Sequence, residues 1–423
     1  MTTVSDLKGE TIGFAASGGL DSCTITRWLT EQGVRVVCFT ADLAQPDETD
    51  FQAIEERMRA CGAVDFVALP LHDMIAAAGI EVIQFQARYE GAYWNTTGIG
   101  RHVIVAGMVP ELRRRRIPIL AHGATGRGND QVRFQLCTNM LAPEITVYAP
   151  WRDPAFLQRF RGRAEMIDYC LAHRLPIKAT REAPYSTDAN LLGLTHEAGK
   201  LEHLSTSPWF VQPGMGVLPT QAPAEPETVT IRFVQGVPTA INGQLLTPFQ
   251  VIRRANALAG RHGIGICTHV VENRFVGIKS RGVYEAPGME LLGTAYAYLL
   301  QLILDRRARE LFDQLSLFMA RQIYQGYGFD LASHLARAAL APINQLATGT
   351  ITVQMYKGRV EFLAAEDVPH QLYSESNASM EAVGEFDHAD SEGFVRVLQV
   401  SARALAATGQ VYPPAWSSLN RSI

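Results

Sequence analysis

The chain has 423 residues, of which 47% are hydrophobic and 19% charged, and its formal net charge is −4. That length supports two or three domains with sizeable cores, and the charge balance excludes a basic nucleic-acid or membrane-surface binder. The longest apolar run, Leu291 to Leu304, is too short to span a bilayer, and Met1 to Lys8 lacks a secretory apolar segment. The six cysteines show no C-x-x-C pair, which predicts free thiols in a reducing cytoplasm and no metal site.

In chain order, Thr11–Ala16 reads as a buried strand. A glycine turn follows, then a helical run, Thr24–Gln32, with Ile25, Trp28 and Leu29 as its apolar stripe. Val34–Thr40 is a second strand, Asp47–Ala60 a helix with Phe51, Ile54 and Met58 on one face, and Val64–Leu69 a third strand. Ile117–His122 is a later strand that leads into a second glycine-rich loop. The alternation predicts an α/β nucleotide-binding domain over 1–172, with a doubly wound parallel sheet and ligands at the carboxyl ends of its strands. Beyond Pro176 the pattern changes. Val229–Phe233 with Ala240–Leu246, and Ile351–Met355 with Val360–Leu363, read as antiparallel hairpins; Phe249–Gly260 and Met289–Ala320 read as helices. This predicts an α+β domain over 173–390, then a tail over 391–423 whose helix, Phe394–Ala407, is suited to contact a neighbouring subunit.

The first turn is Ser17-Gly18-Gly19-Leu20-Asp21-Ser22-Cys23. A strand, a glycine turn and a helix N-terminus present backbone amides and a positive dipole end to an anion. No Gly-Lys-Ser/Thr follows, so this is not a Walker-type loop. The second loop, His122 to Phe134, offers Thr125, Asn129, Asp130 and Arg133 in one short stretch. Hydroxyl, amide and guanidinium groups suit a carboxylate, and Asp130 suits an ammonium, so the set fits a zwitterion. His72, His102, His196 and His203 have no metal spacing and read as surface or supporting histidines; His122, at a strand end, is equally open to a role in the site.

Ser-Gly-Gly-x-Asp-Ser resembles the pyrophosphate loop of N-type ATP pyrophosphatases. With Tyr93 to Arg101, His122 to Phe134, Ala149 to Arg152, Tyr185 to Leu191, Thr195 to Gly199, Val271 to Phe275 and Lys279 to Pro287, the chain resembles argininosuccinate synthase from residue 12 to about residue 365. The resemblance implies ATP-dependent joining of citrulline and aspartate through an adenylated intermediate, with Mg2+ on the nucleotide and no nucleic-acid or membrane partner. It implies a cytoplasmic homotetramer with C-terminal helices reaching across subunits. Ala15, Ala16, Ser17, Gly18, Gly19, Asp21, Ser22, Ala41 and Gly123 would hold ATP. Thr97, Thr125, Asn129 and Asp130 would hold aspartate. Tyr93, Asn129, Arg133, Ser186, Asp188, Thr195, Glu197, Glu272 and Tyr284 would hold citrulline or stand close to it. Asp21, Ser22, Asp130 and Arg133 would be the catalytic set.

Several positions depart from the common pattern of that family: Cys23 in the phosphate loop, Asp42 and Ala44 near the adenine, Gly98, and Arg127 in the second loop. They leave a second reading open, a ligase of the same mechanism acting on a different amine or ureido compound. The intact Ser17–Ser22 loop argues against a third, a non-catalytic metabolite-binding protein.

Overall fold

The computed structural model describes residues 2–177, 185–381, 383–385, 387–414 and 417. They divide into two compact units, Met1–Gln371 and Leu372–Ile423.

The first unit begins with β1 (Thr11–Ala15), α1 (Leu20–Glu31), β2 (Arg35–Asp42), α2 (Phe51–Ala60), β3 (Asp65–Pro70), α3 (His72–Phe85) and α4 (Thr96–Arg115). It continues with β4 (Ile119–His122), α5 (Asp130–Leu141), β5 (Thr146–Tyr148), α6 (Pro154–Arg159) and α7 (Arg163–Ala172). The five strands are parallel, in the order β3-β2-β1-β4-β5. β1 lies between β2 and β4, so the order reverses there and the loops after β1 and β4 face each other across a crevice. Helices cover both faces, which is why these strands are apolar runs rather than alternating ones. Ile12, Phe14, Ile25, Leu29 and Ile54 fill one side; Val37, Phe39, Leu112 and Leu120 fill the other. Gly13 permits the second contact, because a Cβ there would lie 2.3 Å from Leu112 Cδ2.

The remainder of the unit contains β6 (Ser186–Asn190), β7 (Gly193–Glu197), β8 (Glu227–Val234), β9 (Val237–Ile241), β10 (Gln244–Leu245) and α8 (Pro248–Arg261). Then come β11 (Thr268–Asn273), β12 (Lys279–Glu285), α9 (Pro287–Ile303), α10 (Arg306–Gln325), α11 (Leu331–Leu346), β13 (Gly349–Tyr356) and β14 (Arg359–Glu366). They form two antiparallel sheets, β10-β9-β8-β13-β14 and β11-β12-β7-β6. The long helix expected over Met289–Ala320 is two helices. Asp305 turns extended and its carboxylate accepts from Ala308 N at 2.7 Å, an N-cap that starts α10 afresh. The helix expected from Asp47 begins only at Phe51, where the Asp50 side chain caps it through Ala53 N. Tyr284 and Glu285 end β12 and Pro287 opens α9, so Tyr284 stands at a strand-to-helix junction.

All six cysteines are buried and free. No helix among the described residues is long and apolar enough to cross a membrane. The second unit is α12 (Glu375–Ala378) and α13 (His388–Ala407), the latter exposing Phe394, Val397, Leu398 and Val400.

Candidate active site

The crevice at the β1/β4 reversal opens into a cavity of about 440 Å³. One end is the turn after β1. Ala15, Ala16, Ser17, Asp21 and Ser22 line it, with Ala41 and Leu43 from the end of β2 and Gly123 from the end of β4. Ser17 N donates to Ser22 Oγ at 3.0 Å, which folds the turn onto the first turn of α1. A first helical turn leaves its amides without intrahelical acceptors, so this end presents donors to an anion. Asp21 accepts from Trp151 Nε1 at 3.0 Å; burial raises its carboxyl above the usual range, against that hydrogen bond and the charge of Arg163.

Gly18 and Gly19 do not line the cavity wall, yet they shape it. Gly18 has φ +75°, and a Cβ there would meet Ile54 Cγ2 and Arg57 Nη1 at 2.9 Å. Asp42 also stays out. Side chains alternate along a strand, so with Ala41 and Leu43 facing the cavity Asp42 points the other way. There its Oδ1 lies 2.7 Å from His72 Nε2 and accepts from Ala44 N at 3.1 Å.

The other end is walled by α4, α5 and the β11-β12-β7-β6 sheet. Arg101, on α4, places Nε 3.0 Å from Asp130 Oδ2 and Nη2 2.5 Å from Asp188 Oδ2. Arg133 Nη1 donates to the other Asp130 oxygen at 2.7 Å, and its Nε to Tyr324 O at 2.9 Å. Burial alone would raise Asp130, but the two guanidiniums outweigh it and hold the carboxyl at about 2. Asp130 is therefore an anion at neutral pH. Glu272 is buried and accepts from the Tyr324 hydroxyl; burial raises its carboxyl, and that bond and Arg133 oppose the rise. Glu197 faces the open cavity, so water reaches it, but the surrounding protein and the charges of Asp130 and Asp188 push it up to about 7.

Tyr93 and Tyr284 stack with ring centroids 4.1 Å apart, and the Tyr93 hydroxyl accepts from Thr97 N at 2.9 Å. Thr97 Oγ1 and Thr195 Oγ1 lie 2.9 Å apart. Asn129 Oδ1 accepts from Phe275 N at 2.8 Å, which leaves Nδ2 as the group free to meet a ligand. Thr125 lies on the same loop and lines the cavity. Of the expected amino-acid ligands only Ser186 is outside the lining; it is exposed on β6, opposite Glu197.

His122 does not line the cavity. Burial, with Arg152 nearby, pushes its imidazole down to about 3, so it is neutral; Nδ1 accepts from Ala124 N at 3.2 Å, and the ring stacks on Phe134. It supports the start of the second loop. His102 and His196 are likewise buried rather than on the surface: His102 bridges Gly98 O and Gly328 N, and His196 pairs with Glu285. Sequence reasoning gave no role to Arg101 and passed over Tyr324. Arg101 sits four residues after Thr97 on the same helix face, a spacing that could have found it. Nothing local signals Tyr324, which meets Arg133 and Glu272 only through the fold.

A glycine turn opening a helix at the reversal of a parallel sheet, joined to a charged cavity, defines a nucleotide-binding enzyme of the α/β class. Residues 11–176 match the arginosuccinate synthase N-terminal HUP domain, and residues 185–405 match the arginosuccinate synthase C-terminal domain. The chain is 40% identical to the argininosuccinate synthase of Rhodopirellula baltica, covering 94% of this chain and 98% of that one. It is 36% identical to that of Thermotoga maritima, over 92% and 95% of the two chains. It is 37% identical to the chloroplastic enzyme of Arabidopsis thaliana, over 92% and 78%. The chain belongs to the argininosuccinate synthase family, a family of carbon–nitrogen ligases.

Proposed function

We propose that this chain joins L-citrulline to L-aspartate at the expense of ATP, through a citrullyl-adenylate, releasing pyrophosphate and AMP. One observation carries the reading: the phosphate-type turn after β1 and the zwitterion-type loop after β4 open into the same cavity.

On this reading Ser17, Ser22 and the amides at the start of α1 hold the phosphates. The donors and the close-packed Gly18 fit a polyphosphate. Among the described residues no group of three or more metal-ligating side chains exists, so magnesium would arrive on the phosphates with Asp21 as the nearby carboxylate. It would supply neutralisation of the departing pyrophosphate. Glu272, Tyr284, Tyr93, Thr195 and Arg133 would hold citrulline, and Thr97, Thr125, Asn129 and Asp130 would hold aspartate.

The chemistry explains why these groups bind and orient rather than form bonds. A ureido carbonyl is a poor electrophile because its nitrogens donate into it. Its oxygen attacks the α-phosphorus, and the bond to pyrophosphate breaks. The aspartate amine then attacks the ureido carbon, loses a proton, and AMP departs with the oxygen. Positioning and charge stabilisation supply most of the rate in such transfers.

The test is product analysis with MgATP, citrulline and aspartate. With both amino acids present AMP and pyrophosphate should accumulate in equal amounts over many turnovers; ADP and inorganic phosphate would overturn the reading. The second reading is a different amine or ureido acid; Gly98, one of the departures behind it, is buried outside the cavity lining, with Arg133, Asn95 and Ile323 atoms each 3.5 Å from where a Cβ would stand. A substrate panel in which another compound outperforms citrulline or aspartate would favour it.

A further inference from the structure

We propose that Arg57 is a positioning residue for the nucleotide: by holding the Gly18 carbonyl, it aims the Gly19 amide at the phosphates. The inference rests on the ATP reading above and adds a residue that reading does not use.

Arg57 lies on α2 and is only 7% exposed. Glu48 Oε2 lies 4.0 Å from its Nη1, too far for a good charge-assisted hydrogen bond. Burying a guanidinium against so loose a partner is costly unless other groups complete its shell. One such group is explicit: Nη1 donates to Gly18 O at 2.8 Å.

The consequence follows from peptide geometry. The Gly18–Gly19 bond is trans, and in a trans peptide the carbonyl and the next amide point in opposite directions. With Gly18 O drawn toward α2, Gly19 N–H must point away from α2. It donates to Ser17 Oγ at 3.5 Å, on a residue that lines the cavity. Exposure agrees, since Gly18 is buried and Gly19 is open. Gly18 needs φ +75° for this, and its α-carbon is packed so closely on Arg57 and Ile54 that no side chain fits. The other group facing Gly18 O is Cys23 Sγ at 3.9 Å, a weak donor at long range. Arg57 is thus the strong grip on this peptide, and it adds a positive charge beneath the turn.

The test uses the full-length chain. Arg57→Met keeps most of the buried volume and removes donor and charge; Arg57→Lys keeps a donor and the charge. MgATP affinity is measured by titration calorimetry, with the KM of each substrate, kcat and Tm alongside. Arg57→Met should weaken MgATP binding about 10- to 100-fold, the range for losing a hydrogen bond to a charged group, and leave the citrulline and aspartate KM within about 2-fold. Arg57→Lys should recover most of the loss. Unchanged MgATP affinity in Arg57→Met overturns the proposal. So does a parallel rise in all three KM values, which would mark general structural support, or an Arg57→Lys variant as impaired as Arg57→Met. A wild-type protein that binds no MgATP would instead defeat the ligase reading, and this inference with it.

Discussion

Replacing Arg101 with leucine removes the cation that joins Asp130 to Asp188 across the cavity. Asp130 titrates near 2 against 3.8 when free, worth about 2 kcal/mol of stability that Arg101 and Arg133 share. Asp188 loses its 2.5 Å partner at the same time. Stranding fully buried charges costs roughly 3–5 kcal/mol. Here the side chains are 16%, 26% and 34% exposed for Arg101, Asp130 and Asp188, so a wet cavity screens part of that. The expected loss at pH 7 is about 1–3 kcal/mol. The sign with pH is fixed: a depressed carboxyl stabilises the fold fully above about pH 4, and that stability is lost as pH falls toward 2. Urea unfolding followed by tryptophan fluorescence measures the difference. The variant's midpoint should fall at pH 7, and the gap to wild type should close as Asp130 becomes protonated. A midpoint shift worth less than about 0.5 kcal/mol at pH 7, or a gap that widens below pH 4, would refute the reasoning.

Three further outcomes are expected. Asp21→Asn preserves an acceptor for Trp151 but removes the charge beside the phosphate turn, so pyrophosphate release should drop at least about 100-fold with little change in Tm; near-normal turnover would show that the carboxylate is unused. Thr125→Ala and Asn129→Ala should each lower kcat/KM for aspartate by roughly 1–3 kcal/mol, with Asn129→Ala the larger because Phe275 N also loses its acceptor; steady-state kinetics that leave aspartate unaffected would remove both from the amine subsite. Glu197 is raised from 4.5 to about 7, so the stability tied to its protonated form is present below about pH 4.5 and lost as pH rises through about 7. Glu197→Gln should therefore gain more over wild type at pH 8 than at pH 5 in thermal unfolding, and a pH-independent difference would contradict this.

The parts of the site legible in the sequence are those built from local pattern. Ser17 to Ser22 announces itself because strand, glycine turn and helix are contiguous, and the loop His122 to Phe134 likewise. The wall opposite them was legible only through family resemblance. Glu272, Thr195 and Asp188 reach the cavity because β11, β12, β7 and β6 form one sheet, and that pairing leaves no trace in any single strand's pattern. Tyr324 was invisible for the same reason. The break at Asp305 was readable in principle, since an aspartate three residues before the Ala308 amide is a capping signal, but the apolar periodicity on either side hid it. Asp42 was misplaced because it lies one residue from Ala41, where one residue along a strand means the opposite face.

The distribution of the cavity along the chain also sets an order of assembly. The last of the five parallel strands ends at Tyr148, so that sheet can close while the ribosome is still making the rest. Arg133 is in place by then, but the carbonyl that receives its Nε is 191 residues downstream. Until α10 is made, the charged groups of the second loop face water without the wall that later encloses them. Such non-local closure costs chain entropy before any contact repays it, which makes it slow. The half of the cavity that holds Arg133 therefore closes only once α10 is made, and a chain interrupted before Tyr324 would carry a finished turn after β1 beside an unfinished pocket.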